Sequence, residues 1–441
     1  MAHGHTPGGV ELQRLNLTTA KSPSTPYNFE QVFRELHIYE DLYSNFITGS
    51  ISITDSSNII KNAEITGHES LSFKFKGQNV LGVPASNTDW FELSLCVSGI
   101  SDRLVTGERQ TNYSLDLISN TAYTNGLYKV SQAYTGPVPD IASKVCKDYL
   151  NQELFVDVQS TSPFACVIPY WSPVSTVNWL AERCIAANTT GETSDCLFYE
   201  DRTGLVLTSL STLKDAGPMI IDPAPGSSTL YFQPAGAGDS GNPTKQRSVS
   251  NYTINPSFKT LEFVETGTYS SQVVSHDITR KKLTNHVPFR SDTDFARRPT
   301  LEKYNVVPSS GTVKDNYQFA NYPNASYRFQ SKNAHLFGEA QPPVQIAIPE
   351  RWVAQRLSQL GSMKNIVVGV KMPGDTMLKL GDVIRWKNFP SPEQPKTIAG
   401  HTVDDFLAGD FLITAIHHIV DPAHYYMLLE LTKDSFAKDL S

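Results

Sequence analysis

Charge is what this 441-residue chain has least of. Asp, Glu, Lys and Arg make up 18% of it, where ordinary soluble domains carry about 25%. Disorder does not explain the shortfall, because disordered chains combine high charge with few aromatics, and here Phe, Trp and Tyr reach 10%. The 37 bases and 44 acids give a net charge of −7, which excludes a basic nucleic-acid-binding domain. No run approaches the ~18 consecutive apolar residues of a membrane span. Residues 1–26 show no basic start followed by an apolar core, so no secretory signal is expected. Triplets such as Asn188-Thr189-Thr190 then read as loop residues rather than glycan acceptors. Cysteine is scarce, at Cys96, Cys146, Cys166, Cys184 and Cys196. The odd count and the spacings fit no zinc pattern. The expectation is small buried apolar side chains, with one disulfide among the last four left open.

The signatures of catalysis are missing too. There is no G-x-S-x-G elbow, no G-x-x-x-x-G-K-[ST] loop and no H-E-x-x-H. Gly236-Ala237-Gly238 follows no strand and is not a dinucleotide fingerprint. Glu40 and Asp41 are adjacent carboxylates, but neighbours on a strand diverge, and paired-carboxylate hydrolysis needs both facing one bond. The same divergence keeps His417 and His418 from sharing a metal with His424. One of the pair is expected buried and hydrogen-bonded, the other exposed. Arg280-Lys281-Lys282 and Arg297-Arg298 are short basic clusters against an acidic background and are expected to face an acidic neighbour or water. No catalytic, cofactor-binding or metal-binding residue is assigned, and no cofactor is expected.

What is present is strand periodicity. Ile51, Ile53, then Leu71, Phe73, Phe75, then Leu93, Leu95, Val97 and Tyr113, Leu115, Leu117 alternate with polar residues. A period of two buries one face of a sheet and leaves the other wet or covered by a partner. From Gly136 the texture changes. Ile141, Val145, Tyr149 and Leu150 sit at helical spacing, and Ser172-Pro173 opens a second helix with a Ser cap and Pro in its first turn. Glu200 to Gly204 joins two short strands as a hairpin. Residues 214–250 read as a Gly/Pro-rich loop. Pro349 starts another helix, with Gly361 as its stop. The expected organisation is a flexible arm (1–26), a first tube-type β domain (27–135), an inserted α+β domain (136–213), the loop (214–250), a β-rich irregular connection (251–340) and a second tube-type β domain (341–441). The fold class is mainly β, two similar tube-type β-barrel domains with an α+β insertion.

One internal echo supports two related β units. Phe46-Ile47-Thr48-Gly49-Ser50-Ile51-Ser52-Ile53-Thr54 matches Phe406-Leu407-Ala408-Gly409-Asp410-Phe411-Leu412-Ile413-Thr414 in Phe, Gly, Ile and Thr at equal offsets. Phe46 and Phe406 are expected as core anchors of the two barrels. Gly49, Gly381 and Gly409 are expected at turns or bulges where a side chain would clash.

The run Ile38 to Ile51 followed by Asp55 resembles the opening of baseplate hub proteins of contractile-tailed bacteriophages. Tyr134 to Leu150, Trp179 to Arg183 and Phe198 to Asp201 resemble that family's inserted domain. Leu380 to Ile384 and Leu407 to Ile413 resemble its second barrel, and Leu429 to Ser435 its ending. The hub half of type VI secretion spike proteins is a more distant likeness. The resemblance implies a structural, non-enzymatic homotrimer whose six β domains form a pseudo-six-fold ring. That ring would join the hexameric tail tube, or a tube-adaptor protein, to the trimeric central spike. Tape measure protein and baseplate wedge proteins are further implied partners. DNA would pass through the lumen without sequence-specific binding or a membrane anchor. The implied location is the virion's tail baseplate, with synthesis in the host cytoplasm. Two other readings compete: a host-receptor-binding tail module using Thr284 to Gln341, and a tail-tip cell-wall hydrolase using scattered carboxylates with His417, His418 and His424.

Overall fold

The computed structural model describes residues 8–77, 90–107, 110–160, 163–188, 191–218, 231–232, 248–255, 257–278, 280–285, 288–295, 297–306, 318–332, 349–386, 404 and 406–438. The first unit contains β1 (Val10–Thr19), β2 (Ser22–Asn28), β3 (Phe33–Asp41), β4 (Thr48–Asp55), α1 (Ile59–Ala63), β5 (Ser70–Gly77), β6 (Phe91–Gly107), β7 (Gln110–Ile118) and α2 (Asn120–Leu127). The period-two pattern acts as its physics requires. Leu36, Ile38, Ile51, Ile53, Phe73, Leu95 and Leu115 are all buried on one face.

Of the flexible arm expected over 1–26, the described part from residue 10 onward is strand. Residues 10–28 form β1 and β2, and β1 pairs along its length with β5. Leu15 and Leu17 are fully buried there. The Gly, Thr and Pro content of the terminus masked the alternation that sets the strand.

The insertion contains β8 (Val130–Pro137), α3 (Val138–Val145) running into a π turn (Cys146–Leu150), β9 (Leu154–Asp157), β10 (Pro163–Trp171), α4 (Pro173–Arg183), β11 (Ala186–Asn188), β12 (Gly191–Thr193), β13 (Cys196–Asp201), β14 (Gly204–Ser209) and α5 (Leu210–Asp215). Ser172 Oγ accepts the Ser175 N–H at the start of α4, satisfying one orphan donor of the first turn. The β13–β14 hairpin takes β9 as a parallel third strand. A second apolar core, from Val130 to Leu207, belongs to this insertion.

The rest of the chain gives β15 (Tyr231–Phe232), β16 (Ser248–Val249), β17 (Asn251–Ile254), α6 (Thr260–Thr266), β18 (Ser270–Asp277), β19 (Lys282–Asn285), β20 (Phe289–Arg290), α7 (Ser291–Phe295), β21 (Tyr304–Asn305), β22 (Tyr327–Lys332), α8 (Pro349–Ser362), β23 (Ile366–Pro373), β24 (Val383–Trp386), β25 (Gly409–Val420), β26 (Tyr425–Lys433) and β27 (Ser435–Phe436). Most of the Gly/Pro-rich stretch expected as a loop lies outside the described residues. Gly361 does not stop α8, which runs on to Ser362. A β-carbon at Gly361 would strike the Thr268 side chain beside β18, so glycine there permits a close approach rather than a turn.

One 12-stranded sheet unites the two β units, in the order β17-β23-β26-β25-β3-β4-β7-β6-β5-β1-β2, with β24 on β25. The joint is β25 against β3, antiparallel from Ala415↔Asp41 to Val420↔Leu36. The architecture is thus mainly β with an inserted α+β unit, and its large core spans both β units.

Candidate functional site

The β3–β25 joint is where the chain concentrates its buried polar chemistry. β3 and β25 each present an ionisable residue to the core because both strands alternate, and the two are diagonal neighbours, Glu40 opposite Ile416 and His418 opposite Ile38. Glu40 is 3% exposed and His418 is fully buried. His418 Nε2 lies 3.0 Å from Glu40 Oε2, and its Nδ1 lies 2.8 Å from the Tyr425 hydroxyl. Glu40 Oε1 accepts the backbone N–H of Arg202 at 3.1 Å. Arg202 sits in the β13–β14 turn, its guanidinium donates to the Thr376 carbonyl, and it lies 5.7 Å from the Phe91 ring. One polar cluster therefore ties the first β unit, the second and the insertion hairpin. Buried polar groups must be paired to be tolerated, and here the partners come from three parts of the chain: Glu40, His418 with Tyr425, and Arg202.

A carboxylate, an imidazole and a hydroxyl in series invite a catalytic reading. Geometry opposes it: Tyr425 and His418 are wholly buried, and a catalytic base must reach a proton on substrate. Burial holds the Tyr425 phenol well above its usual pKa, so the hydroxyl stays a neutral hydrogen-bonding partner. Asp41, next to Glu40, turns to the other face and accepts the Tyr43 N–H at 2.7 Å. No pair of carboxylates faces a common site here.

His417, one residue on, faces outward. Its Nε2 lies 2.9 Å from His37 Nδ1, and its ring stacks on Tyr39 at 4.2 Å. It is half-buried rather than exposed, and burial with the neighbouring His37 and His418 lowers its pKa to about 4. His417 is therefore neutral at ordinary pH and shares one hydrogen bond with His37. His424 is held separately by Asp421 at 3.3 Å.

A second polar knot ties the C-terminus. Lys214 of α5 and Asp434 form an ion pair at 2.7 Å with side chains 0% and 1% exposed. Asp434 Oδ1 also accepts from Leu301 N at 3.2 Å and Ser435 Oγ at 2.7 Å. Burial alone would raise Asp434, but the Lys214 ammonium and these hydrogen bonds outweigh it and hold its pKa below the usual carboxylate range. Arg298, expected to face a neighbour or water, is 6% exposed and lies 3.5 Å from Asp294. Arg280, Lys281 and Lys282 do lie exposed, at the β18–β19 turn.

The five singled-out positions fare differently. Gly49 lies inside β4, paired on both sides, not at a turn. A β-carbon there would stand 2.5 Å from the His37 carbonyl oxygen of β3. Gly381 lies in a turn at φ +81°, with Leu213 packed where its β-carbon would go. Gly409 opens β25 at φ +127°, against Glu302 and Lys433. Phe46 is half-buried and packs on the insertion's core, not on that of the first β unit. Phe406 is 37% exposed, stacked at 4.4 Å on Phe436. Neither Phe is the barrel anchor expected, because both precede their strands and pack elsewhere, Phe46 on the insertion and Phe406 on Phe258 and Phe436. Large buried side chains such as Phe73, Phe91, Trp386 and Phe411 fill that core instead. All five cysteines are free, four of them buried.

Asp382, beside Gly381, offers a direct test of these electrostatics. Burial pushes its pKa up to about 6, against one stabilising N–H from Lys379 at 2.8 Å. A raised carboxylate pKa adds stability below the unfolded value of about 3.9 and loses it as pH rises through 6. Asp382→Asn keeps the acceptor and removes the charge. It is expected to raise the melting temperature at pH 8 and to bring little gain at pH 5, read by thermal melts at both. A gain independent of pH would refute the assignment.

The described fold is shared with phage tail proteins. The 43 kDa tail protein of prophage MuSo2 from Shewanella oneidensis aligns over 96% of this chain and 98% of its own, with a TM-score of 0.52 at 11% identity. A tail protein from Neisseria meningitidis MC58 covers 97% of each chain, with a TM-score of 0.50 at 8% identity. In sequence, the chain is 23% identical over 426 residues to a "probable baseplate hub protein" of Vibrio phage KVP40, spanning 92% of this chain and 90% of that one. The resemblance read from the ordered motifs therefore reappears in a hub relative of nearly the full length. A search of family models gave no match.

Proposed function

We propose that this chain is a structural baseplate hub of a contractile phage tail. Three copies close into a pseudo-six-fold ring between the hexameric tail tube and the trimeric central spike, and DNA and tape measure pass through it. The chain carries no chemistry of its own in this reading. The observation that supports it most is the β3–β25 joint. Two β units already meet edge to edge within one chain, and repeating that contact head to tail between copies closes a ring when the rotation fits. Ring closure also covers sheet edges that would otherwise invite aggregation. The probable hub protein of the Vibrio phage, matched over 92% of this chain, supports this reading.

The test is mass. The purified chain, alone or co-expressed with the spike protein of its phage, should sediment at three times the 48.8 kDa of one chain. A chain that stays single in the presence of the spike would sink the proposal.

A further inference from the structure

Two thiols of the insertion meet as a pair. Cys184 ends α4 and Cys196 opens β13. Between them run β11 and β12, whose ladder matches Ala186↔Thr193, Ala187↔Glu192 and Asn188↔Gly191. This hairpin folds the chain back on itself, and its register projects Cys184 opposite Asp195, one residue from Cys196. Residues facing each other across an antiparallel ladder stand about 5 Å apart. That lies inside the range of about 4.4–6.8 Å that a disulfide spans between α-carbons. The side chains complete the approach. Cys196 Sγ donates to the Cys184 carbonyl oxygen at 3.7 Å. The two thiols also share a hydrogen bond which, ahead of burial, holds the Cys196 pKa well above its usual value. Both thiols are free and fully buried in the insertion's core.

The other three cysteines stand apart. Cys96 lies on β6 of the first β unit and donates to Asn120 Oδ1 at 3.7 Å. Burial raises Cys146 to about 12 and Cys166 to about 11, and no other sulfur acts on either. Access to the Cys184–Cys196 pair runs through the β11–β12 flap. It has three residues in each strand, with Ala187, Gly191 and Glu192 exposed. Short, exposed elements of this kind open locally at low cost. While the flap is closed, the pair is protonated and slow to oxidise.

We propose that Cys184 and Cys196 are a site of reversible oxidation, closed to a disulfide by a peroxide, which pins the end of α4 to the start of β13. One sulfur attacks a peroxide oxygen. The O–O bond breaks, the departing hydroxide takes up the thiol proton as water, and a sulfenic acid remains. The other sulfur attacks that sulfenic sulfur. The S–S bond forms, the S–O bond breaks, and a second water leaves with the second thiol proton. Two thiols and one hydrogen peroxide thus give one disulfide and two waters, with two electrons passing from sulfur to oxygen. The bond itself is independent of the hub reading. That it closes only outside the reducing host cytoplasm, and so stiffens the insertion in the released particle, rests on that reading.

The experiment uses the full-length chain, purified with a reductant that is then removed. It is treated with dilute hydrogen peroxide, denatured, alkylated and digested with trypsin. Arg183 and Arg202 delimit one tryptic peptide, Cys184 to Arg202, that holds both cysteines. After peroxide this peptide should be two hydrogens lighter and closed to alkylation, and a reductant should restore it. Cys96, Cys146 and Cys166 should still alkylate. Amide hydrogen exchange in β11 and β12 should slow at least fivefold in the oxidised chain and recover on reduction. Both thiols still open to alkylation after peroxide would overturn the proposal. So would a link to any of the other three cysteines or to a second chain, and so would oxidation beyond the sulfenic acid without a link. A link with unchanged exchange would remove the pinning and overturn the device. A chain that forms the link yet stays single by mass would refute the hub and leave this site standing.

Discussion

Gly49→Val is expected to leave little folded protein. The β-carbon itself collides, since it would stand 2.5 Å from a backbone oxygen of β3, so Gly49→Ala should already be harmful and valine worse. Relief requires β3 and β4 to part at a point where β4 is paired on both sides. Overpacking that side chains can absorb costs about 1–3 kcal/mol, and a backbone obstacle should exceed that range. Thermal melts followed by circular dichroism should show a fall of more than about 5 °C, with loss of the assembled species. Gly409→Val adds a left-handed backbone, φ +127°, to crowding by two side chains, and should be similarly damaging. Melting within a degree of the parent for both variants would remove these glycines from the list of structural determinants.

Lys214→Met is expected to be the other severe change. It leaves Asp434 buried without its cation, and breaking a buried pair from one side costs about 3–5 kcal/mol. The pH dependence should reverse. In the parent, Asp434 titrates below its unfolded value, so its contribution is present above about pH 3.9 and lost as pH falls through the lower folded pKa. Without Lys214, burial dominates and raises that pKa. The variant should then gain relative stability as pH falls toward about 4. Replacing both partners, as Lys214→Met with Asp434→Leu, should restore most of the loss, because no charge is left stranded. A double variant as weak as the single one would show that the Leu301 and Ser435 hydrogen bonds to Asp434, not the ion pair, carry the site.

Much of the local structure was legible in the sequence, because period two and end signals are local physics. β4, β5 and β7 follow from alternation, and α4 follows from Ser172 and Pro173. β1 was missed because a Gly- and Pro-rich terminus hid Leu15 and Leu17. Gly361 was misread because a helix stop and a close approach both call for glycine, and only Thr268 on another element separates them. The buried histidine was expected as a type of residue, but not its partners. Glu40 stands 378 residues from His418 in sequence, and no spacing rule reaches that far. Phe46 and Phe406 were misplaced for the same reason: a shared motif sets a local shape, while burial depends on what packs over it.

By itself the sequence determined that this protein is mainly β with an inserted α+β unit, poor in charge, and without the motifs of catalysis. Those properties reside in composition and in neighbours a few residues apart. Only the tertiary structure decided that the two β units share one sheet through β3 and β25. It also decided that Lys214, Asp434, Glu40 and His418 are buried ties. Strand pairing and charge burial are set by contacts across hundreds of residues, whose free energies appear only once the chain has brought them together.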